Sequence, residues 1–246
     1  MAAPQSPSPG LCEFLDWDSR FFGLRIGRIV GHGLRSSHCP PILDWACEQR
    51  LDCLYFLADI GAETIRLAEE HAFHLIDLRV TLAASPRPAG QEQIHEDRIR
   101  PARSEDVAAL RAIAGASHTD TRFYQDGRFP APSCDEMYRV WIEKSCHGYA
   151  DWVWVAEHQG QPAGYITCHL AGGEPRIGLT GVAAEARGTG LGHALVQRAL
   201  AWFSEHDAPR VTVATQGANS RALRLYQHHG FATSAIQLWY HKWFPK

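Results

Sequence analysis

Apolar and polar positions alternate along the chain with two different periods, and the change from one to the other predicts a mixed α/β order. Leu24 to Val30, Leu54 to Ala58 and Leu75 to Leu82 are short apolar-rich runs of strand type. Ile42 to Arg50 and Glu63 to Ala72 carry the three-to-four spacing of amphipathic helices. Farther on, Arg98 to Arg100 predicts a short strand, and Ser104 is placed to cap a helix from Glu105 to Ala114, whose acidic first turn suits the positive end of the helix dipole. Residues 115 to 133 show no period and read as irregular, ahead of an amphipathic helix from Cys134 to Ser145. Trp152 to Glu157 and Ala163 to His169 predict a hairpin about His158-Gln159-Gly160-Gln161-Pro162, and Arg176 to Ala183 a further strand. Leu191 to His206 places Leu191, Leu195, Ala199 and Trp202/Phe203 on one helical face. Val211 to Ala214 then predicts a strand, Ser220 to His229 a helix ended by Gly230, and Ile236 to Trp243 the last strand.

Residues 85 to 97 carry two prolines, a glycine and little apolar material, so they divide the chain. The expected organisation is a flexible tail over residues 1 to 10, an α/β domain over 11 to 84, a linker over 85 to 97 and a second domain over 98 to 246. The tail has neither the basic nor the apolar region of a secretory signal. A strand-helix-strand pattern occurs twice at an offset of 158: Ile65, Leu67, His71 and Phe73 fall on Leu223, Leu225, His229 and Phe231. Ala68 stands where the second copy has Tyr226, so the first half reads as a degenerate, non-catalytic half-repeat.

Composition narrows the function classes. With 45% hydrophobic and 21% charged residues the 246-residue chain has ample material for packed cores. Its net charge of −3 leaves no excess of Lys and Arg to displace counterions from nucleic acid, so an anion site must be local. No apolar run approaches the length of a membrane span. The seven cysteines are odd in number and lack any C-x-x-C pair, which suits reduced thiols and a cytoplasmic setting. His71/His74 and His228/His229 lack Cys or carboxylate partners at ligand spacing, so no metal is expected.

The strongest chemical signal is a strand, Ile177 to Val182, followed by Arg187, glycines at 188, 190 and 192, and an amphipathic helix. Glycines let the backbone turn sharply and approach a ligand, and the free N–H groups of a helix start attract an anion. The spacing suits a pyrophosphate. It lacks the Gly-Lys-Ser/Thr of a nucleotide P-loop, and it is not the G-x-G-x-x-G of a dinucleotide turn.

Val182-Ala183-Ala184-Glu185-Ala186-Arg187-Gly188-Thr189-Gly190-Leu191-Gly192 resembles the acetyl-CoA motif R/Q-x-x-G-x-G/A of the GNAT superfamily of N-acetyltransferases. Ala184 and Ala186 depart from the Pro and aromatic often found there. The resemblance implies the α+β GNAT fold, a central mixed, mostly antiparallel sheet flanked by helices. It implies acetyl-CoA as co-substrate. Main-chain groups of Thr180, Gly181 and Val182 would pair with pantetheine, and amides from Gly188 through Thr189, Gly190, Leu191, Gly192 and His193, beside Arg187, would hold the pyrophosphate. Asn219 and Tyr226, two helical turns apart on one face, match the residues that respectively bind the pantetheine arm and protonate the leaving thiolate.

Leu15-Asp16-Trp17-Asp18-Ser19-Arg20-Phe21-Phe22-Gly23, Thr121-Arg122-Phe123-Tyr124-Gln125-Asp126 and Tyr138-x-x-Trp141-Ile142-Glu143-Lys144-Ser145 resemble, within that superfamily, the dTDP-fucosamine acetyltransferases. The acceptor implied is the 4-amino group of dTDP-4-amino-4,6-dideoxy-galactose. Trp17, Arg122, Phe123 and Tyr124 have the aromatic and cationic chemistry that a nucleotide sugar needs. Competing readings are acetylation of another amine (a protein N-terminus, an amino acid, an antibiotic) and a CoA-binding sensor without turnover. The aromatic-rich final strand, Leu238 to Phe244, is a candidate either to pair across a homodimer or to finish the sheet.

Overall fold

The computed structural model describes residues 10–86, 98–170 and 173–245. In chain order the elements are β1 (Cys12–Phe14), α1 (Asp16–Phe22), β2 (Ile26–Ile29), α2 (Cys39–Glu48), β3 (Cys53–Asp59), α3 (Ala62–Glu70), β4 (His74–Ala84), β5 (Ile99–Pro101), α4 (Val107–Ser117), α5 (Arg122–Asp126), α6 (Ala131–Lys144), β6 (Trp152–His158), β7 (Gln161–His169), β8 (Arg176–Val182), α7 (Leu191–Glu205), β9 (Val211–Gln216), α8 (Ser220–His228) and β10 (Ala232–Trp243). Most of the expected tail and linker lie outside the described residues.

Two compact units share these elements. The first takes in residues up to 79, 122–129 and 236 onward; the second takes in 80–121 and 130–235. In the first, the strand order is β1-β2-β3-β10. β1 is antiparallel to β2, β2 parallel to β3, and β3 antiparallel to β10 from Cys53↔Trp243 to Asp59↔Gln237. Alternation along β3 sends Leu54, Phe56 and Ala58 into a core with Ile42, Leu67, Phe73, Leu238 and Tyr240. Each large side chain buried there contributes roughly 1.5–3 kcal/mol. The aromatic final strand therefore pairs within the chain. α2 begins at Cys39, earlier than its period suggested, because Pro40 and Pro41 fall in the first turn, where a missing N–H costs nothing.

In the second unit, which also takes in Val80–Ala84 of β4, the order is β9-β8-β7-β6-β5. β5 to β8 pair antiparallel in sequence, and β8 and β9 are parallel. The β6–β7 turn is Gln159-Gly160 with φ of +53° and +74°, a two-residue hairpin whose twist matches that of the strands. α7 packs on β6, β7 and β8, burying the predicted face of Leu191, Leu195, Ala199, Trp202 and Phe203. α4 and α6 pack together, and Arg111 bridges them through ion pairs to Glu136 and Glu143.

Two expectations are corrected. Ser104 does not cap the helix before α4; a 3₁₀ turn over Ser104–Asp106 intervenes, and the Asp106 carboxylate accepts from the Arg103 N–H at 2.7 Å and from Arg100 at 2.6 and 2.8 Å. Residues 115 to 133 are not wholly irregular. They contain α5 and the start of α6, too short or too proline-marked to show a period.

The offset of 158 reappears in the elements. Added to both ends of α3 it gives both ends of α8, and added to the first residues of β3 and β4 it gives those of β9 and β10.

Candidate active site

β8 and β9 are parallel neighbours only at Arg176↔Thr212 and Ile177↔Val213. β8 runs on to Val182 and β9 to Gln216, so the two strands part beyond that point. β7 still holds the other edge of β8, at Thr180↔Ile166, Gly181↔Tyr165 and Val182↔Gly164. The edge of Thr180–Val182 facing β9 thus has no strand partner among the described residues; the Val182 carbonyl accepts from Arg187 Nε at 3.3 Å, and the remaining main-chain groups stand open for a ligand to claim. Gly181 is required here: a Cβ would lie 2.8 Å from the Tyr165 ring, so no side chain fits between β8 and β7's tyrosine.

Beyond Val182 the chain makes a 3₁₀ turn, Ala184–Ala186, and then the glycine turn. Gly188 and Gly190 have φ of +80° and +85°, the left-handed region that favours glycine. Gly192 differs. It lies inside the first turn of α7, and a Cβ there would make ordinary contact with Leu225 at 3.5 Å. The first hydrogen bond into α7 runs from the Ala194 N–H to the Gly190 carbonyl at 3.1 Å, which leaves the amides of Leu191, Gly192 and His193 without helical acceptors. Thr189 Oγ1 donates to the Ala186 carbonyl at 2.7 Å and fastens the turn.

A cavity of about 390 Å³ opens between these parts of the second unit. Its walls include Thr180, Gly181 and Val182, then Arg187 and Gly192, then Asn219 ahead of α8 with Arg221 and Tyr226 in it, and Ser117 at the end of α4 with Thr119 and Asp120 just past it. Asn219 caps α8, accepting the Ala222 N–H on Oδ1 at 3.0 Å, so its amide N–H groups remain as donors toward the cavity. Tyr226 is 5% exposed and its hydroxyl donates to Thr180 Oγ1 at 3.3 Å. Burial raises its pKa above the ordinary phenol value, outweighing the Thr180 hydrogen bond, so it stays a neutral donor.

Other expected residues stand elsewhere. Leu191 is buried in the core and offers only its amide. The His193 ring lies against His228 and His229, with Nδ1 3.2 Å from His229 Nε2. Among the described residues no group of three or more His, Cys, Asp or Glu is arranged to hold a metal ion, and no helix is long and apolar enough to cross a membrane. All seven cysteines are free thiols.

Trp17, Arg122, Phe123 and Tyr124 belong to the first unit and are absent from the cavity's lining. Trp17 stacks on Phe21. Phe123 is 4% exposed, its ring packed on Phe22 and Phe129; Tyr124 is half-buried. The Arg122 guanidinium lies over the rings of Tyr55, Phe123 and Trp239 at 4.1–4.2 Å. Its Nη1 donates to His241 Nε2 at 2.7 Å, while His241 Nδ1 donates to Asp126, which also accepts from Trp243 Nε1. Burial holds the His241 pKa down at about 4 against the pull of Asp126, which keeps the ring neutral and able to accept from Arg122. Nothing in the sequence foretold this chain of four side chains, because its two halves, Arg122 with Asp126 and His241 with Trp243, lie more than a hundred residues apart.

Residues 119–231 match the sequence profile of the Acetyltransferase (GNAT) family. The chain is 28% identical over 138 residues to the spore coat polysaccharide biosynthesis protein SpsD of Bacillus subtilis (strain 168), a match covering 56% of this chain and about half, 48%, of that protein. It is 26% identical over 235 residues to dTDP-fucosamine acetyltransferase of Escherichia coli O6:H1, covering 94% of this chain and 97% of that one. Among solved structures, a GCN5-related N-acetyltransferase from Sphaerobacter thermophilus superposes with a TM-score of 0.63 at 16% identity, over 94% of this chain and 76% of the other. That likeness shows the fold.

Proposed function

We propose, from the match of residues 119–231 to the Acetyltransferase (GNAT) family, that the protein moves the acetyl group of acetyl-CoA to the amine of a nucleotide-linked amino sugar, of the dTDP-4-amino-4,6-dideoxy-galactose type. One observation carries the transfer reading: the open edge of β8, the glycine turn at the start of α7 and the buried phenol of Tyr226 all belong to one cavity or its rim. A pantetheine arm laid along Thr180–Val182 would complete the strand ladder. The amides from Gly188 to His193 and the Arg187 side chain would take the pyrophosphate. Asn219 would donate to the arm. The amine nitrogen attacks the thioester carbonyl, a strand amide near Val182 stabilises the oxyanion, the C–S bond breaks, and Tyr226 protonates the departing sulfur.

Support for the acceptor comes from the likeness to dTDP-fucosamine acetyltransferase over nearly the whole of both chains. Arg122 and Phe123 are taken up by the aromatic packing of the first unit, so the acceptor reading rests on that likeness and not on these side chains. Both acetyl-CoA and nucleotide sugars are cytoplasmic metabolites, and the reading places the protein there. A screen for thiol release with acetyl-CoA tests it, using dTDP-4-amino-4,6-dideoxy-galactose, the free amino sugar, peptide N-termini, amino acids and aminoglycosides. The nucleotide sugar is expected to exceed every other amine in kcat/KM. Turnover of peptides or aminoglycosides without turnover of the nucleotide sugar rejects the acceptor. Tight acetyl-CoA binding with no thiol release from any amine rejects transfer in favour of a sensor.

A further inference from the structure

We infer that Asp120 receives the acceptor's amine: its carboxylate docks the ammonium form and takes the proton that leaves nitrogen as the C–N bond is made. This rests on the acetyl-transfer reading above. The cavity walls carry three charged side chains, Asp120, Arg187 and Arg221. Arg187 flanks the glycine turn and Arg221 sits in the first turn of α8, so both suit anionic parts of the cofactor. Asp120 comes from a different wall, the turn between α4 and α5, and is the one carboxylate among the lining residues.

The carboxylate has no other employment. Among the described residues Asp120 makes no hydrogen bond or ion pair, whereas Asp106 is held by Arg100 and Asp126 by His241 and Trp243. Partly buried carboxylates are normally paired, and one left open in a concave site is set for a cation from outside. The turn that carries it is fixed from both sides. His118 stacks on Tyr138 at 4.5 Å and bonds the Tyr165 hydroxyl at 2.9 Å, while Thr121 accepts from the Tyr138 hydroxyl at 3.0 Å. The same contacts remove His118 as the base, because its Nε2 already faces Tyr165 and its ring is absent from the cavity's lining.

The step balances with these two groups. The docked ammonium first releases one proton to solvent, and attack by the resulting neutral amine gives an adduct with N⁺–H and O⁻. The N⁺–H of such an adduct is strongly acidic, so a carboxylate suffices as its base. Asp120 takes that proton, the oxyanion re-forms the carbonyl, the C–S bond breaks with its electron pair on sulfur, and Tyr226 supplies the proton that makes the thiol. The proton on Asp120 returns to the Tyr226 phenolate through solvent.

The experiment compares wild type, Asp120→Asn and Asp120→Glu in the full chain. Acetyl-CoA affinity is measured by calorimetry, and kcat and KM from pH 6 to 9 with dTDP-4-amino-4,6-dideoxy-galactose. Binding of that sugar and of its 4-hydroxy analogue to the CoA complex is measured alongside. Asp120→Asn is expected to keep acetyl-CoA affinity within about twofold, lose at least tenfold in kcat/KM, and bind amine and hydroxyl sugars equally. Asp120→Glu is expected to regain part of the rate and the preference for the amine. Asp120→Asn with kcat/KM within threefold of wild type, or with the amine preference intact, overturns the assignment and leaves acetyl transfer standing. A wild-type chain that turns over no amine at all overturns both.

Discussion

At the scale of single residues, the contrast between Tyr226 and Ala68 is the most informative. Both occupy the same place in their strand-helix-strand copies and both are buried, yet one brings a hydroxyl to the cavity and the other brings only a methyl group. Replacing Tyr226 by Phe keeps the ring against Phe231 and removes the proton donor. General acid catalysis contributes roughly 10²–10⁴ in rate, so kcat should fall at least tenfold with acetyl-CoA affinity unchanged. Steady-state kinetics with isothermal calorimetry tests this; a phenylalanine variant with normal turnover removes Tyr226 from the chemistry. Tyr226 and Asn219 were legible in the sequence because helical geometry alone fixes what two residues seven apart can share. Asp120 was not, since it sits in a turn without period, where one carboxylate is indistinguishable from its neighbours until the cavity is seen.

Elements explain why the cavity is there. β8 and β9 begin as parallel neighbours and then diverge, an arrangement that the residue types of neither strand announce, because strand propensity says nothing about which edge remains unpaired. The glycine turn is the opposite case. Its glycines and the following amphipathic helix stood out in one dimension, and the structure refined them by assigning left-handed φ to Gly188 and Gly190 alone. No atom lies within 4 Å of a Cβ at 190, so Gly190→Val tests the backbone and not a clash. A left-handed β-branched residue costs about 1–2 kcal/mol or more. The variant should melt several degrees lower and bind acetyl-CoA at least tenfold more weakly, with the turn displaced from its ligand. Melting by circular dichroism and calorimetry of CoA binding report the two effects. Unchanged CoA affinity would dissociate this turn from the pyrophosphate.

For the molecule as a whole, each compact unit draws on both halves of the sequence, the first being completed by residues 236–246 and the second including Val80–Ala84. Deleting 236–246 removes no residue of the cavity, but it strips β3 of its antiparallel partner and takes Leu238, Tyr240, His241 and Trp243 from the first unit. Burial of Leu238 and Tyr240 contributes roughly 1.5–3 kcal/mol each. The truncated chain should therefore show loss of amide-exchange protection throughout β2 and β3. Wild-type protection there would contradict the strand's structural role. Acid should destabilise the protein for a separate reason. Burial holds His118, His229 and His241 near pKa 4, with the neighbouring His193 and His228 adding to the effect at His229. The unfolded chain binds these protons at about pH 6.5, so it binds more protons than the fold between about 6.5 and 4, and stability falls as pH drops through that window. Above about pH 7 these groups contribute no slope. Thermal midpoints should decline steadily from pH 6.5 to 5, where most carboxylates are still ionised, and a flat profile there would contradict the buried neutral rings.

The sequence by itself determined what depends on neighbours in the chain. Periodicity set most strands and helices, the spacing of Arg187, Gly188, Gly190 and Gly192 marked a sharp glycine turn at a helix start, and the offset of 158 aligned two strand-helix-strand copies whose element bounds agree in the fold. Only the tertiary structure decided what depends on distant partners. These are the parting of β8 from β9, the Arg122–His241–Asp126–Trp243 chain, the division into units that each use both ends of the sequence, and the isolation of Asp120. The physical reason is that hydrogen-bond direction and hydrophobic period act within a few residues, whereas burial, pairing and the lack of a partner are properties of segments that meet only after folding.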